Sequence, residues 1–257
     1  MSPVSMKEED RQHAIRLKLA RMQPAPGRLA GTAIGTGLAA LDRALGSGGL
    51  PRGRIVELFG PSACGKTTLL LQSIAHLQKN GLTAAWIDAD HTFDPAYAAR
   101  LGVEIERLPV AQPDTSEQAL EIARQLAGSG AVDLLVVDSA AALVPQLELE
   151  AGIGQDVRSL HSRVLASGLR KLAQSVARTD TSVVFLNQTR SRLEASGAET
   201  ETSAGGPPLK LYAAVRIVLS PAGGNRICVR VLKNKVADAF AEGELEWRQG
   251  VGFAESP

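Results

Sequence analysis

The chain has 257 residues, 44% of them hydrophobic and 4% aromatic, which suffices for one α/β domain with an aliphatic core and small additions. Lys and Arg number 28 against 27 Asp and Glu, so the formal net charge of +1 excludes attraction of nucleic acid by bulk charge and requires a local basic patch for any such contact. The charged first ten residues contain no apolar secretory segment, nothing approaches a membrane-spanning run, and only Cys64 and Cys228 are available for thiol chemistry, so a cytoplasmic protein without a membrane role is expected.

Residues 8–22 have helical periodicity, with Ile15, Leu19 and Met22 on one stripe, and the Pro- and Gly-containing run 23–27 ends that helix. Residues 1–30 are thus expected to form a helix and linker, a candidate oligomerisation arm, ahead of a core at 31–257. The pattern leaves open whether this helix packs on its own domain or on a neighbouring subunit. From about Gly35 apolar strands alternate with helical patterns, the mark of βαβ units and a parallel sheet. The first such strand, 55–59, runs into Gly60-Pro61-Ser62-Ala63-Cys64-Gly65-Lys66-Thr67, and a helix is expected over 67–75. Two glycines four residues apart, then Lys and Thr, let backbone N–H groups converge on phosphate oxygens. Gly60 and Gly65 are expected to adopt backbone angles closed to other residues. Lys66 reaches the β- and γ-phosphates, the Thr67 hydroxyl ligates Mg²⁺, and the helix aims its positive end at the anion. Cys64 reads as a small loop-filling residue more than a reactive thiol.

Further strands are expected at 84–88, 134–138, 182–187, 215–219 and 227–232, the last two as an antiparallel hairpin. Segments 145–156 and 191–208 lack periodicity and read as long functional loops. Ligands of open α/β sheets lie beyond the carboxyl ends of the strands, where this chain places Asp88, Asp90, Asp138 and Gln188. Asp138, after four apolar residues, is placed to hold Mg²⁺ through water; the alternative is a cap on the next turn. Asp90 is the candidate for orienting or deprotonating an attacking water. Gln188 is placed to bond a γ-phosphate oxygen and respond to its loss, or else is an ordinary strand-end amide.

These residues, with the ordered series Gly48-Gly49-Leu50-Pro51-Arg52-Gly53-Arg54, Asp94-Pro95-Ala96-Tyr97, Gln112-Pro113-Asp114-Thr115, Asn187-Gln188-Thr189-Arg190, Leu209-Lys210-Leu211-Tyr212 and Lys233-Asn234-Lys235, resemble the RecA family of bacterial recombinases from about residue 35 to 253. The resemblance implies a three-layer α/β core around a phosphate loop, a mostly parallel sheet with an antiparallel hairpin at one edge, and a short N-terminal helix. It implies ATP bound with Mg²⁺, extends the ATP contacts to Thr68, assigns Asp94 and Tyr97 to the adenine, and puts Trp247 at a second aromatic position. It also implies a helical filament in which Lys233 and Lys235 reach the γ-phosphate of the neighbouring subunit. Arg163, Arg170, Arg190, Gly205, Gly206 and Lys210 occupy positions for contact with single-stranded DNA, and the two long loops match the family's DNA-binding loops. Gln188, at the root of the second loop, is placed to couple nucleotide state to DNA affinity.

Four departures stand out. Asp90 occupies the family's catalytic Glu position and is one methylene shorter, which predicts slow hydrolysis. Segment 191–204 carries Arg192 against Glu194, Glu199 and Glu201 and lacks large apolar wedges, which predicts weak, salt-sensitive DNA binding. The family's glycine-containing docking strand is not recognisable between 22 and 33, and the sequence stops at Pro257, before the family's small C-terminal domain. Two functions are expected to compete: a DNA-dependent ATPase of recombination, repair and the SOS damage response, or an ATP-binding accessory factor of translesion synthesis, with a translesion polymerase or SOS repressor as possible partner.

Overall fold

Strands whose every residue is apolar, such as Leu134-Leu135-Val136-Val137, are buried on both faces, and a sheet built from them needs a helical layer on each side. That arrangement is present. A computed structural model of the chain describes residues 33–151, 159–193 and 199–255, with the side chains at 191–201 and 255 outside the description. The expected N-terminal helix and linker also lie outside these residues.

In chain order the elements are β1 (Ala33–Ile34), α1 (Ala39–Leu45), β2 (Leu50–Pro51), β3 (Ile55–Gly60), α2 (Lys66–Lys79), β4 (Ala84–Asp88), α3 (Pro95–Arg100), β5 (Val110–Ala111), α4 (Ser116–Ser129), β6 (Leu134–Asp138) and α5 (Gln146–Glu150). Then follow α6 (Leu160–Val176), β7 (Ser182–Leu193), β8 (Glu199–Ser203), α7 (Pro207–Tyr212), β9 (Val215–Pro221), β10 (Arg226–Asn234), β11 (Glu242–Arg248) and β12 (Gly252–Glu255). The main sheet has the order β12-β11-β10-β9-β3-β7-β6-β4-β5, with β8 paired to β7 beyond it. From β9 through β5 all pairings are parallel, whereas β9 to β12 are antiparallel.

Strand alternation sorts the core into two layers. Val56, Leu58, Leu134, Val136, Val184 and Leu186 face α1 and α2, while Ile55, Leu135, Val137, Val183 and Phe185 face α4, α6 and Leu209 of α7. At the end of the sheet away from the phosphate loop, the buried pair Arg52 Nη1–Asp133 Oδ1 (2.9 Å) is completed by Thr83, whose N–H and hydroxyl both donate to Asp133 Oδ2 at 3.0 Å. Among the described residues no helix is long and apolar enough to cross a membrane.

The expected antiparallel hairpin is present as β9–β10, and β11 and β12 extend that edge to four strands. Two expectations need correction. Segment 191–208 is not structureless: β7 continues to Leu193 and turns back as β8 in register Thr189↔Ser203, and α7 follows. Polar Thr, Ser, Arg and Glu at almost every paired position hid the strand signal, since no apolar alternation marks the ribbon. Segment 145–156 contains the short helix α5, with residues 152–158 outside the description.

Phe185 is fully buried between the sheet and the α4/α6 layer. Phe185→Ala is expected to lower unfolding stability by about 3–5 kcal/mol, read from urea denaturation, because the large void cannot collapse between a strand and two helices.

Candidate nucleotide site and hairpin groove

β3 delivers the chain to Gly60, and α2 starts at Lys66 directly after Gly65, whose φ of 87° lies in the left-handed region. A Cβ on Gly65 would also stand 2.4 Å from Phe253 Cζ, so the ring of the last strand lies against the loop. Gly60 differs from the expectation: its φ is ordinary. It must be glycine for lack of space, since a Cβ would meet Leu219 O at 2.5 Å and Cys64 Sγ at 2.9 Å. Gln72 of α2 fastens the outer wall by accepting from Phe253 N (2.7 Å) and donating to Phe253 O (3.0 Å). Lys66 Nζ is held inside the loop, donating to Gly60 O at 3.1 Å and Pro61 O at 2.7 Å. Burial pushes the Cys64 thiol up against the pull of Lys66, and this side chain packs in the core, as the filler reading expected.

At the carboxyl ends of β4 and β6, Thr67 Oγ1 donates to Asp138 Oδ2 at 3.1 Å. Asp90 Oδ1 accepts from Ser139 N (3.3 Å) and Ser139 Oγ (3.2 Å), which places it beside the Asp138 strand end. Buried Asp88 serves the turn instead, accepting Thr92 N and Phe93 N, each at 3.1 Å, and Gln112 Nε2 at 2.9 Å. Burial, and then the charge of Asp90, raise the Asp138 carboxyl from 3.8 to about 6, against the Thr67 hydrogen bond and the charge of Lys66. A hydroxyl and a destabilised carboxylate form a hard oxygen donor set that suits Mg²⁺ completed by water and phosphate oxygens.

Beside the loop lies a cavity of about 480 Å³, lined by residues 63–68 with Tyr97, Ile227, Trp247 and Phe253. Tyr97 and Trp247 therefore line the same cavity as the phosphate loop. The Tyr97 hydroxyl shares a 2.7 Å hydrogen bond with Thr68 Oγ1, and Arg100 lies 5.5 Å over the same ring. Asp94 does not line the cavity. It caps α3, with Oδ1 accepting Ala96 N (2.8 Å) and Tyr97 N (3.0 Å), and so sets the position of Tyr97. Ile227 and Phe253 were missed from the sequence, because apolar residues near the starts of β10 and β12, far along the chain, carry no local sign of facing a loop.

A second cavity, about 660 Å³, opens where the β7–β8 hairpin meets α6 and α7. It collects Arg190, Gly205, Gly206 and Lys210 with His161 and Ser162, and Lys210 Nζ bonds Thr202 Oγ1. Arg163 and Arg170 lie outside this cavity on exposed positions of α6, bonded to Ser159 Oγ (2.9 Å) and the Tyr212 hydroxyl (3.3 Å) respectively. The side chains of Arg192, Glu194, Glu199 and Glu201 fall outside the description. Gln188 is exposed on β7, level with Gly60 in the β3–β7 register. Lys233 and Lys235 do not line this chain's nucleotide cavity: Lys233 Nζ donates to Lys210 O (2.7 Å) and Leu211 O (3.3 Å), and Lys235 is exposed. Burial and the charges of Lys235 and Arg216 lower the Lys233 ammonium from its ordinary value.

Residues 25–254 match the family described as RecA N-terminal domain. A protein named Protein RecA from Acidiphilium cryptum (strain JF-5) is 47% identical over 230 residues, covering 86% of this chain and 67% of its own length. Another of that name from Thioalkalivibrio sulfidiphilus (strain HL-EbGR7) is 49% identical over 231 residues, with the same 86% and 67% coverage.

The Asp138 shift carries a sign. Its folded value lies above the unfolded one, so the bound proton stabilises the ligand-free fold at low pH, and that contribution fades as pH climbs from about 4 through about 6. Urea unfolding without Mg²⁺ is expected to show this group adding about 1 kcal/mol more at pH near 5 than near 7. Asp138→Asn should flatten that slope; an unchanged slope would place the titration elsewhere.

Proposed function

The chain belongs to the RecA family, and we propose that it is an ATP-dependent recombinase of that type which binds single-stranded DNA and hydrolyses ATP slowly. One observation carries the reading. β7 passes the phosphate loop at Gln188, level with Gly60, and continues without a break into the hairpin, whose Arg190 and Thr202 wall the basic groove opposite Lys210 of α7. In this reading a single strand runs from beside the nucleotide loop into the wall of the DNA groove, which supports nucleotide-controlled DNA binding.

In this reading the backbone N–H groups of residues 62–68 cradle the triphosphate, and phosphate oxygens replace Gly60 O and Pro61 O as partners of Lys66. Thr67 and Asp138 would hold Mg²⁺, which supplies neutralisation of charge on the phosphate oxygens. Asp90, steadied by Ser139, orients the attacking water. Tyr97 and Trp247 enclose the adenine, with Asp94 setting the Tyr97 backbone. Lys233 and Lys235, which do not line their own nucleotide cavity, serve the neighbour in a filament as trans cations. Arg190, Gly205, Gly206 and Lys210 take the DNA backbone in the groove, with Arg163 and Arg170 extending the track along α6. Cytoplasmic action in recombination, repair and the SOS damage response follows from this assignment.

The accessory reading, an ATP-gated binding module partnered with a translesion polymerase or SOS repressor, draws its support from Asp90. That carboxylate is short for its position and already bonded to Ser139. Hydrolysis measured with and without poly-dT, together with electron microscopy, tests the pair. DNA-stimulated turnover with filaments is expected, Asp90→Glu should raise it by up to about 10²-fold by restoring the base position, and Lys66→Ala should abolish ATP binding. Tight ATP binding with neither stimulation nor filaments would overturn the recombinase reading in favour of the accessory one.

A further inference from the structure

On the sheet face covered by α6 and α7, one buried acid ties the phosphate-loop strand to the root of the hairpin. Glu57 on β3 is fully buried, at a position where alternation turns its side chain into the layer of Ile55. Its Oε2 accepts from Arg216 Nε of β9 at 2.5 Å, and its Oε1 accepts from Asn187 Nδ2 of β7 at 2.9 Å. Asn187, also fully buried, donates with the same nitrogen to Ala204 O at 2.9 Å, and its Oδ1 accepts the Gln188 N–H at 2.9 Å. The ring closes through the backbone, because Ala204 N donates to Gln188 O at 2.9 Å. Arg216 grips the hairpin a second time, Nη2 donating to Ser203 Oγ at 3.2 Å, and its guanidinium lies 4.8 Å over the ring of Phe59, the residue before Gly60.

A buried carboxylate is tolerated only while its partners stay in place, so this cluster has few alternative arrangements. Gln188 and Ala204 are linked to each other and to the same amide. A displacement of Gln188 by nucleotide must therefore carry residues 203–206, the floor of the basic groove, with it. We infer that Asn187, braced by Glu57 and Arg216, is the positioning residue that transmits the state of the phosphate loop to the DNA groove. It acts through the backbone of Gln188 and Ala204 and touches neither ligand. The inference rests on the ATP and single-stranded DNA reading above.

The test uses the full chain and a fluorescent poly-dT oligonucleotide, with affinity measured with and without a non-hydrolysable ATP analogue. The wild type should bind DNA more tightly with the analogue. Asn187→Ala should cut that enhancement by about tenfold, within the usual span of coupling between sites, while analogue affinity changes by less than about threefold. Arg216→Lys, which keeps the charge beside Glu57 but loses the planar fork, should cut it in the same direction and decides the matter if Asn187→Ala fails to fold. Full enhancement in a folded variant overturns the relay alone, as does an equal loss of DNA affinity with and without analogue, which marks a merely structural role. A wild type without any enhancement overturns the functional reading, and the relay with it.

Discussion

The parallel pairing of β3 with β7 governs the rest of the molecule. Its register, Ile55↔Val183 through Gly60↔Gln188, sets the start of the phosphate loop abreast of the root of the hairpin. Parallel neighbours in one sheet end on the same side, so the loop after β3 and the extension of β7 emerge together. The other members of the site join from the same side: Asp88 and Asp138 end β4 and β6, and β9 supplies Leu219 O against Gly60. The basic groove therefore needs no separate domain, since it grows from the strand that borders the nucleotide.

Four buried carboxylates show how differently one interior treats the same group. Asp133 has Arg52 and Thr83, Glu57 has Arg216 and Asn187, and Asp88 is wrapped by two backbone amides and Gln112. Each is satisfied by groups the fold supplies, as burial of a charge demands. Asp138 has the Thr67 hydroxyl, with Asp90 beside it raising the cost of its charge. The under-compensated acid is the one at the phosphate loop, where a divalent cation would complete it. The four differ by what surrounds them, not by burial itself.

Much of this was legible in the sequence, for reasons specific to each element. The strands ending at Asp88 and Asp138 were readable to the residue because apolar runs stop abruptly at a charge. The phosphate loop was readable because its chemistry fixes spacing. The hairpin at 189–203 was not, since polar residues fill almost all of both paired strands and leave no apolar alternation to betray it. Glu57 reads as one polar interruption in an apolar strand, and nothing nearby in sequence names Arg216 as its partner, 159 residues away. The reason for Gly60 was likewise hidden: the motif demands glycine, but the demand comes from a carbonyl on β9. Contacts between segments remote in the chain are what local pattern cannot express.

The packing of Phe253 on Gly65, with Gln72 clasping the Phe253 backbone, joins segments 181 residues apart in the chain. Among the described residues β12 ends the sheet order, held on one side by β11 alone. Fraying of that single strand would unroof the cavity beside Gly65 and leave every parallel pairing intact.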